Sequence, residues 1–273
     1  MAFLTTSDGI SLAVRDEQLR SPRARIVIVH GYAEYSGRYA ELVERLTAHN
    51  FECHLFDLRG HGHSGGVPAH VSSFGLYIDD LRLVIQHVRE TGRPRVPLLI
   101  IAHSLGGLIT LELIRREPES CDGVVVSSPF LKPAFEIPML KKLVARGASR
   151  IAPALPFSNT LDPTLLSTDR EVVESYASDP LVQRTTTPRW FTEVENAQET
   201  VQEHAGEIRS PLLMLLGGDD QVADHRLAEQ VFASIGSADK TLRTYEGLRH
   251  EVLNELARDT VVNDLLTWLE AHS

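Results

Sequence analysis

Cysteine is scarce in this sequence: Cys53 and Cys121 are the only two among 273 residues. Two isolated cysteines cannot build a disulfide framework, and neither sits in a metal-ligand spacing. Long hydrophobic runs are missing as well. The most apolar stretches, Pro97–Ala102 and Pro211–Leu216, fall far short of the roughly 20 residues a membrane-spanning helix needs. Basic residues are the minority, 27 against 37 acidic, which leaves a net charge of −10 with histidine neutral. Such a surface repels phosphate backbones, so no nucleic acid is expected as a partner. The opening MAFLTTSDGISLAVRDEQLR has no basic region ahead of an apolar one, so it does not read as a secretory leader, and a cytoplasmic location is expected. Repeats and low-complexity tracts are absent too.

What is present is a 42% hydrophobic share, enough for a folded core, in a length that allows one large domain or two small ones. Two strand-like runs flank Asp8-Gly9 and suggest an N-terminal hairpin. Apolar strand-length runs then alternate with helical patterns. Arg25–Val29, Glu52–Phe56, Pro97–Ala102, Gly123–Ser127, Leu212–Leu216 and Lys240–Tyr245 read as strands. Between and after them, apolar residues recur at helical spacing: Tyr39 to Leu46, Leu81 to Val88, Leu105 to about Arg116, Leu227 to Phe232, and Val261 to Leu269. This alternation predicts an α/β fold with a mostly parallel sheet covered by helices on both faces. Residues 131–187 break the rhythm, with several prolines, short helical patterns and no clear strand. They read as a helical insertion, or cap, in a core made of residues 1–130 and 188–273.

The sharpest chemical signal is Ala102-His103-Ser104-Leu105-Gly106-Gly107, between an apolar strand and a helix. A nucleophile elbow needs that context: the turn is so tight that neighbours two positions either side must be small. Ser104 would then stand exposed at the carboxyl edge of the sheet, with the Leu105 amide at the new helix's N-terminus ready for an oxyanion. A serine needs a base, and the base an orienting carboxylate, in the chain order Ser, Asp or Glu, His. Strand Leu212–Leu216 runs into Gly217-Gly218-Asp219-Asp220, and the next strand into a loop ending at His250. Asp220 is favoured because the two glycines permit a sharp exit toward the histidine, with Asp219 and Asp224 as competitors. His30-Gly31-Tyr32 directly follows an earlier strand, so the Tyr32 amide is the candidate second oxyanion donor. Asp57–Ser64 carries His61 and His63 two positions apart. A hydrolytic zinc site needs at least three ligands, so this reads as a structural loop and no metal is expected.

Together these residues resemble the monoacylglycerol lipase and lysophospholipase branch of the serine α/β-hydrolases. His30–Tyr39 is similar to that family's HGxxEHSGRY segment, Asp57–Gly65 to its DxRGHGxSxG loop, and His103–Gly107 to its HSMGG elbow. Tyr176–Leu181 resembles its YxSDPL stretch, and Lys240–His250 its histidine-bearing strand and loop. The resemblance implies an α/β-hydrolase fold and a triad of Ser104, Asp220 and His250, with the Tyr32 and Leu105 amides as oxyanion hole. It further implies a polar end for the alcohol headgroup near Glu34, Arg38, His103 and Tyr176, a monoacylglycerol or other single-chain lipid ester as substrate, and no cofactor. Tyr32 and Ala33 stand where relatives often have smaller residues, and Leu253 where some have a histidine. A general short- to medium-chain carboxylesterase or thioesterase on the same triad is the alternative. A ligand-binding protein that has lost catalysis is a more distant one.

One stretch of the insertion has its own pattern. Met139, Leu140, Leu143, Val144, Ala148 and Ile151 share a helical face, while Lys141, Lys142, Arg146 and Arg150 lie largely opposite. Such a basic amphipathic helix fits either of two roles. It can lie in a membrane interface, giving peripheral membrane contact, or it can roof an acyl pocket with its apolar face.

Overall fold

The computed structural model describes residues 1–92, 95–159 and 161–273. In chain order the elements are β1 (Ala2–Thr5), β2 (Ser11–Glu17), β3 (Ala24–Val29), α1 (Ala40–Ala48), β4 (Phe51–Phe56), α2 (Gly75–Thr91), β5 (Leu98–His103), α3 (Leu105–Arg116) and β6 (Gly123–Ser127). They continue with α4 (Met139–Ile151), β7 (Phe157–Ser158), α5 (Arg170–Ser178), β8 (Thr185–Thr186), α6 (Pro188–His204), β9 (Leu212–Gly217), α7 (His225–Ser234), β10 (Lys240–Tyr245) and α8 (Arg258–Ala271).

Eight strands form one sheet in the order β1-β2-β4-β3-β5-β6-β9-β10. The two pairings of β2, with β1 and with β4, are antiparallel, and the others are parallel. The apolar runs become strands buried on both faces, and their period of two divides each between two cores. In β3, Val27 and Val29 pack on one side, with apolar residues of α2, α3, α6 and α7. Ile26 and Ile28 pack on the other, with α1 and α8. This two-layer burial fixes the strand register, so every loop at the carboxyl ends of β3, β5, β9 and β10 meets its neighbours at one edge.

Between β6 and α6 the chain leaves the sheet. It forms α4, α5 and a separate two-stranded sheet in which Phe157 pairs with Thr186 and Ser158 with Thr185. The sequence shows no strand here, because two-residue strands are too short to leave an alternating pattern. Helix α6 returns the chain to the core. Its start is set by Thr187, whose hydroxyl accepts from the Trp190 amide at 3.3 Å, and by Pro188 in its first turn.

The apolar face of helix α4 is turned to solvent, and of the helix only Lys142 lines the cavity described below. Met139 is 67% exposed, Leu140 72%, Leu143 56%, Val144 63% and Ile151 88%, and Ser149 alone among the helix's 13 residues is buried. The opposite side lies on α6, where Lys142 reaches Glu195 at 2.8 Å and Arg146 reaches it at 3.0 Å. The Ser149 and Thr192 hydroxyls meet at 3.0 Å. The roofing role for this apolar face therefore fails: paired charges face the protein and the greasy side faces outward.

Candidate active site

Strand β5 ends in a residue held in an unusual conformation. Ser104 has φ +50° and ψ −113°, a region that costs strain for any residue but glycine. Surrounding bonds impose it: the Ser104 amide donates to the Ser127 carbonyl at 2.9 Å, and its carbonyl accepts from Phe130 at 3.0 Å and Leu108 at 3.1 Å. Gly106 lets α3 come down on β3, since a Cβ there would lie 2.3 Å from the Val29 carbonyl oxygen. Helix α3 starts at the next residue, so the Leu105 amide is one of the unpaired donors at its N-terminus.

Ser104, Asp220 and His250 come together from three strand ends and all are buried. His250 Nε2 lies 3.0 Å from Ser104 Oγ, and Nδ1 lies 2.7 Å from Asp220 Oδ2. The other Asp220 oxygen accepts from the Val222 amide at 2.8 Å and the Ala223 amide at 2.9 Å, which fixes the carboxylate's orientation. Gly217 permits the approach, because a Cβ there would sit 2.1 Å from the Arg249 carbonyl oxygen. Asp219 points to solvent, and Asp224 caps α7 through the Leu227 amide at 3.0 Å and pairs with Lys132 at 3.1 Å. Burial opposes charge on His250, but the adjacent Asp220 carboxylate, with Glu251 and Glu34 beyond it, outweighs this and raises its pKa above the ordinary 6.5.

Ser104 opens on a cavity of about 560 Å³. Its walls are mostly apolar, with Phe130, Leu131, Leu166, Trp190, Phe191 and Val194 among them. Glu34, His103, Tyr176 and Glu251 also line it. His103 Nδ1 donates to the Ser127 carbonyl at 3.1 Å, and burial together with neighbouring His250 pushes its pKa down to about 4, so it is neutral.

Arg38 does not line the cavity. Its guanidinium meets Glu251 at 2.6 and 2.8 Å and Glu34 at 2.9 Å, and lies 4.9 Å from the centre of the Tyr176 ring. Glu34 is itself committed, accepting from the Gly31 amide at 2.6 Å and the Tyr39 hydroxyl at 2.8 Å. Burial alone would raise the Glu251 pKa, but Arg38 holds it down at about 2. The pair of carboxylates and one guanidinium thus leaves a net negative charge behind the polar end of the cavity. Nothing in the stretch after His250 marks Glu251, whose partner lies 213 positions away.

The histidines of the second loop take separate places. His61 is buried with Nδ1 on the Arg59 carbonyl at 3.0 Å, whereas His63 is exposed. Asp57 organises this loop, accepting from the Ser36 and His63 amides, each at 2.8 Å.

Sheet, elbow and facing histidine together define the class of protein: this is an α/β-hydrolase. Residues 20–257 match the Hydrolase_4 family, described as "Serine aminopeptidase, S33", and the chain belongs to that family. A monoacylglycerol lipase of Mycolicibacterium smegmatis is 30% identical over 252 residues, covering 92% of this chain and 89% of the relative. An uncharacterized abhydrolase domain-containing protein of Dictyostelium discoideum is 31% identical over 270 residues, and this chain spans 28% of its length. Among solved structures, the monoacylglycerol lipase of Paleococcus ferrophilus superposes with a TM-score of 0.88 at 31% identity, covering 96% of this chain and 99% of that one. The chain is a carboxylic ester hydrolase.

Proposed function

We propose that this enzyme releases the fatty acid of a monoacylglycerol or a similar single-chain lipid ester through an acyl-enzyme on Ser104. The observation that carries the reading is a strained, histidine-paired serine that opens, beside polar residues, on a mostly apolar cavity of about 560 Å³. In this mechanism His250 takes the Ser104 proton as Oγ attacks the ester carbonyl, and Asp220 holds Nδ1 protonated and steadies the imidazolium. The Tyr32 and Leu105 amides stabilise the oxyanion. His250 then protonates the departing alcohol, and water, activated by the same histidine, frees the acid. These steps need no cofactor.

The alcohol would leave past Glu34, His103, Tyr176 and Glu251. A surround of carboxylates and a neutral imidazole accepts hydrogen bonds, which suits the hydroxyls of glycerol. Residues 131–187 act as a cap over the acyl cavity. The exposed apolar face of α4 supports peripheral contact with a membrane by a protein located in the cytoplasm. Among the described residues no helix is long and apolar enough to cross one.

Ser104→Ala tests the nucleophile. It should keep the fold and lower kcat by on the order of 10⁴-fold or more on monoacylglycerol, because triad members act as a unit. Near-wild-type turnover would overturn the assignment. A panel of monoacylglycerols, lysophospholipids and short-chain esters separates the lipase reading from a general esterase: equal or better turnover of short esters favours the latter.

A further inference from the structure

Tyr32 is attached at two ends to different parts of the molecule. Its main chain follows β3 in the turn beside Ser104, and the next residue, Ala33, takes φ +61°, a left-handed conformation uncommon outside glycine. Glu34 holds the near side of this turn through the Gly31 amide. The far side is held by the Tyr32 side chain. Its hydroxyl donates to the Thr185 carbonyl at 2.8 Å and accepts from Asn159 Nδ2 at 3.2 Å. Asn159 in turn binds the Gln183 carbonyl through Nδ2 at 3.0 Å and the Arg184 carbonyl through its amide at 2.9 Å. Thr185 belongs to β8 and Asn159 directly follows β7, so one phenol is tied to both sides of that small sheet. The ring lies 4.4 Å from that of Trp190 on α6, which leaves little room to swing.

We propose that Tyr32 is a positioning residue whose hydroxyl latches the β7–β8 sheet to the turn carrying the oxyanion amide. The amide then holds its working position only while that sheet is docked, and the inserted segment sets the reactivity of the site as well as covering it. The inference rests on the reading of the Tyr32 amide as an oxyanion donor. A donor displaced by a fraction of an ångström loses much of its effect on the transition state while barely altering ground-state binding.

The test uses the full chain and a water-soluble short-chain p-nitrophenyl ester, which hardly enters the acyl cavity. Wild type and Ser104→Ala come first, then Tyr32→Phe, Asn159→Ala and the double variant, each checked for an intact thermal transition. Tyr32→Phe keeps the ring and removes the latch. It should lower kcat on the order of 10-fold with KM within about 2-fold, less than the loss of a whole oxyanion donor. The inhibition constant of a trifluoromethyl ketone, which adds to Ser104 as an oxyanion, should rise by the same factor. Asn159→Ala should give a smaller loss of the same kind, and the double variant should be no worse than Tyr32→Phe, because both act through one tie. An unchanged kcat in Tyr32→Phe, a loss confined to KM, or additive losses would overturn the latch alone. Should Tyr32→Phe fail to fold, Asn159→Ala with unchanged kcat and inhibition constant would overturn it as well. A wild type without turnover, or Ser104→Ala with full turnover, would overturn the parent reading and the latch with it.

Discussion

Two stretches of the inserted segment are joined to the rest of the protein by different physics. From β7 to β8 the segment is stitched to the loops of the site. Tyr32 reaches Thr185 at 2.8 Å, Tyr35 reaches Asp179 at 2.8 Å, and the Glu251 amide donates to the Leu166 carbonyl at 2.8 Å. Buried Glu255 accepts from the Arg249 amide at 2.8 Å and the Thr168 amide at 2.9 Å, tying the histidine loop to the residues before α5. Helix α4, by contrast, rests on α6 alone among its main contacts, through two ion pairs on Glu195 and a hydroxyl pair. Several well-directed bonds that tie backbone groups at separate points hold geometry closely, whereas two ion pairs on partly exposed basic side chains contribute little and tolerate sliding. The stitched part can therefore position catalytic groups. The loosely held part can move or meet a surface without disturbing them.

The comparison breaks most severely at Arg38, which lies under the stitched part. Arg38→Ala strands Glu34 and Glu251, both buried, without their countercharge. Removing one partner of a buried charge cluster costs about 3–5 kcal/mol, and chemical denaturation should show a loss of that size. Turnover of a monoacylglycerol and of the matching methyl ester should fall together, because Arg38 does not face the cavity. A loss confined to monoacylglycerol would instead give the guanidinium a direct role at the headgroup. Acid should erode the same cluster. The Glu251 carboxyl is held at about 2 against an ordinary 4.5, so its contribution is complete above about 4.5 and is lost as the pH falls through the folded value.

A smaller effect concerns the base. His250 must be neutral to accept the serine proton, and its raised pKa places the acid limb of the kcat/KM profile above 6.5. Glu251 is one of the negative neighbours that raise it. Glu251→Gln should therefore move the acid limb to lower pH, read from profiles of the two proteins on one soluble ester. An acid limb that stays in place would show that Glu251 does not help to set the histidine.

Much of this is legible in the amino-acid sequence. Runs such as Leu98–Ala102 are buried on both faces and read directly as interior strands. The elbow could be read because its steric needs are local: a strand, a small neighbour and Gly106. Chain order and the glycines before Asp220 point to the sheet edge at which Asp220 and His250 meet. The unread parts depend on contacts between distant positions. The ion pair of Arg38 with Glu251 spans 213 positions, and neither residue carries a mark of the other. The Tyr32 hydroxyl finds its acceptor 153 positions away. Helix α6 did leave a signal, Thr187-Pro188, which is a helix start in residue type and order. The facing of α4 left none, since its amphipathic pattern is the same whichever side is buried. Glu195 decides it, by drawing Lys142 and Arg146, four positions apart, onto α6.

The smallest effect on the fold, and the one that sharpens the comparison, belongs to α4 itself. Its 16-residue surround from Ile137 to Ala152 carries four basic residues and no acidic one in a chain of net −10. Glu195 neutralises part of this, since Lys142 and Arg146 are paired with it, while Lys141 and Arg150 are in no ion pair among the described residues. The attraction to a membrane should thus be mainly hydrophobic, with a modest preference for anionic lipid that salt weakens. The combined change Leu140→Asp, Leu143→Asp puts two charges where both side chains are exposed, so stability should shift by no more than about 0.5 kcal/mol per site. Turnover of a soluble ester should be unchanged, because α4 has no bond to the site loops. Co-sedimentation with vesicles should fall sharply, and turnover of monoacylglycerol presented in those vesicles should fall with it. Lys141→Glu should have a weaker effect, visible at low salt on anionic vesicles and absent on neutral ones. Vesicle binding that survives the double aspartate change would place the membrane contact elsewhere. A matching loss on the soluble ester would show that α4 is coupled to the site after all.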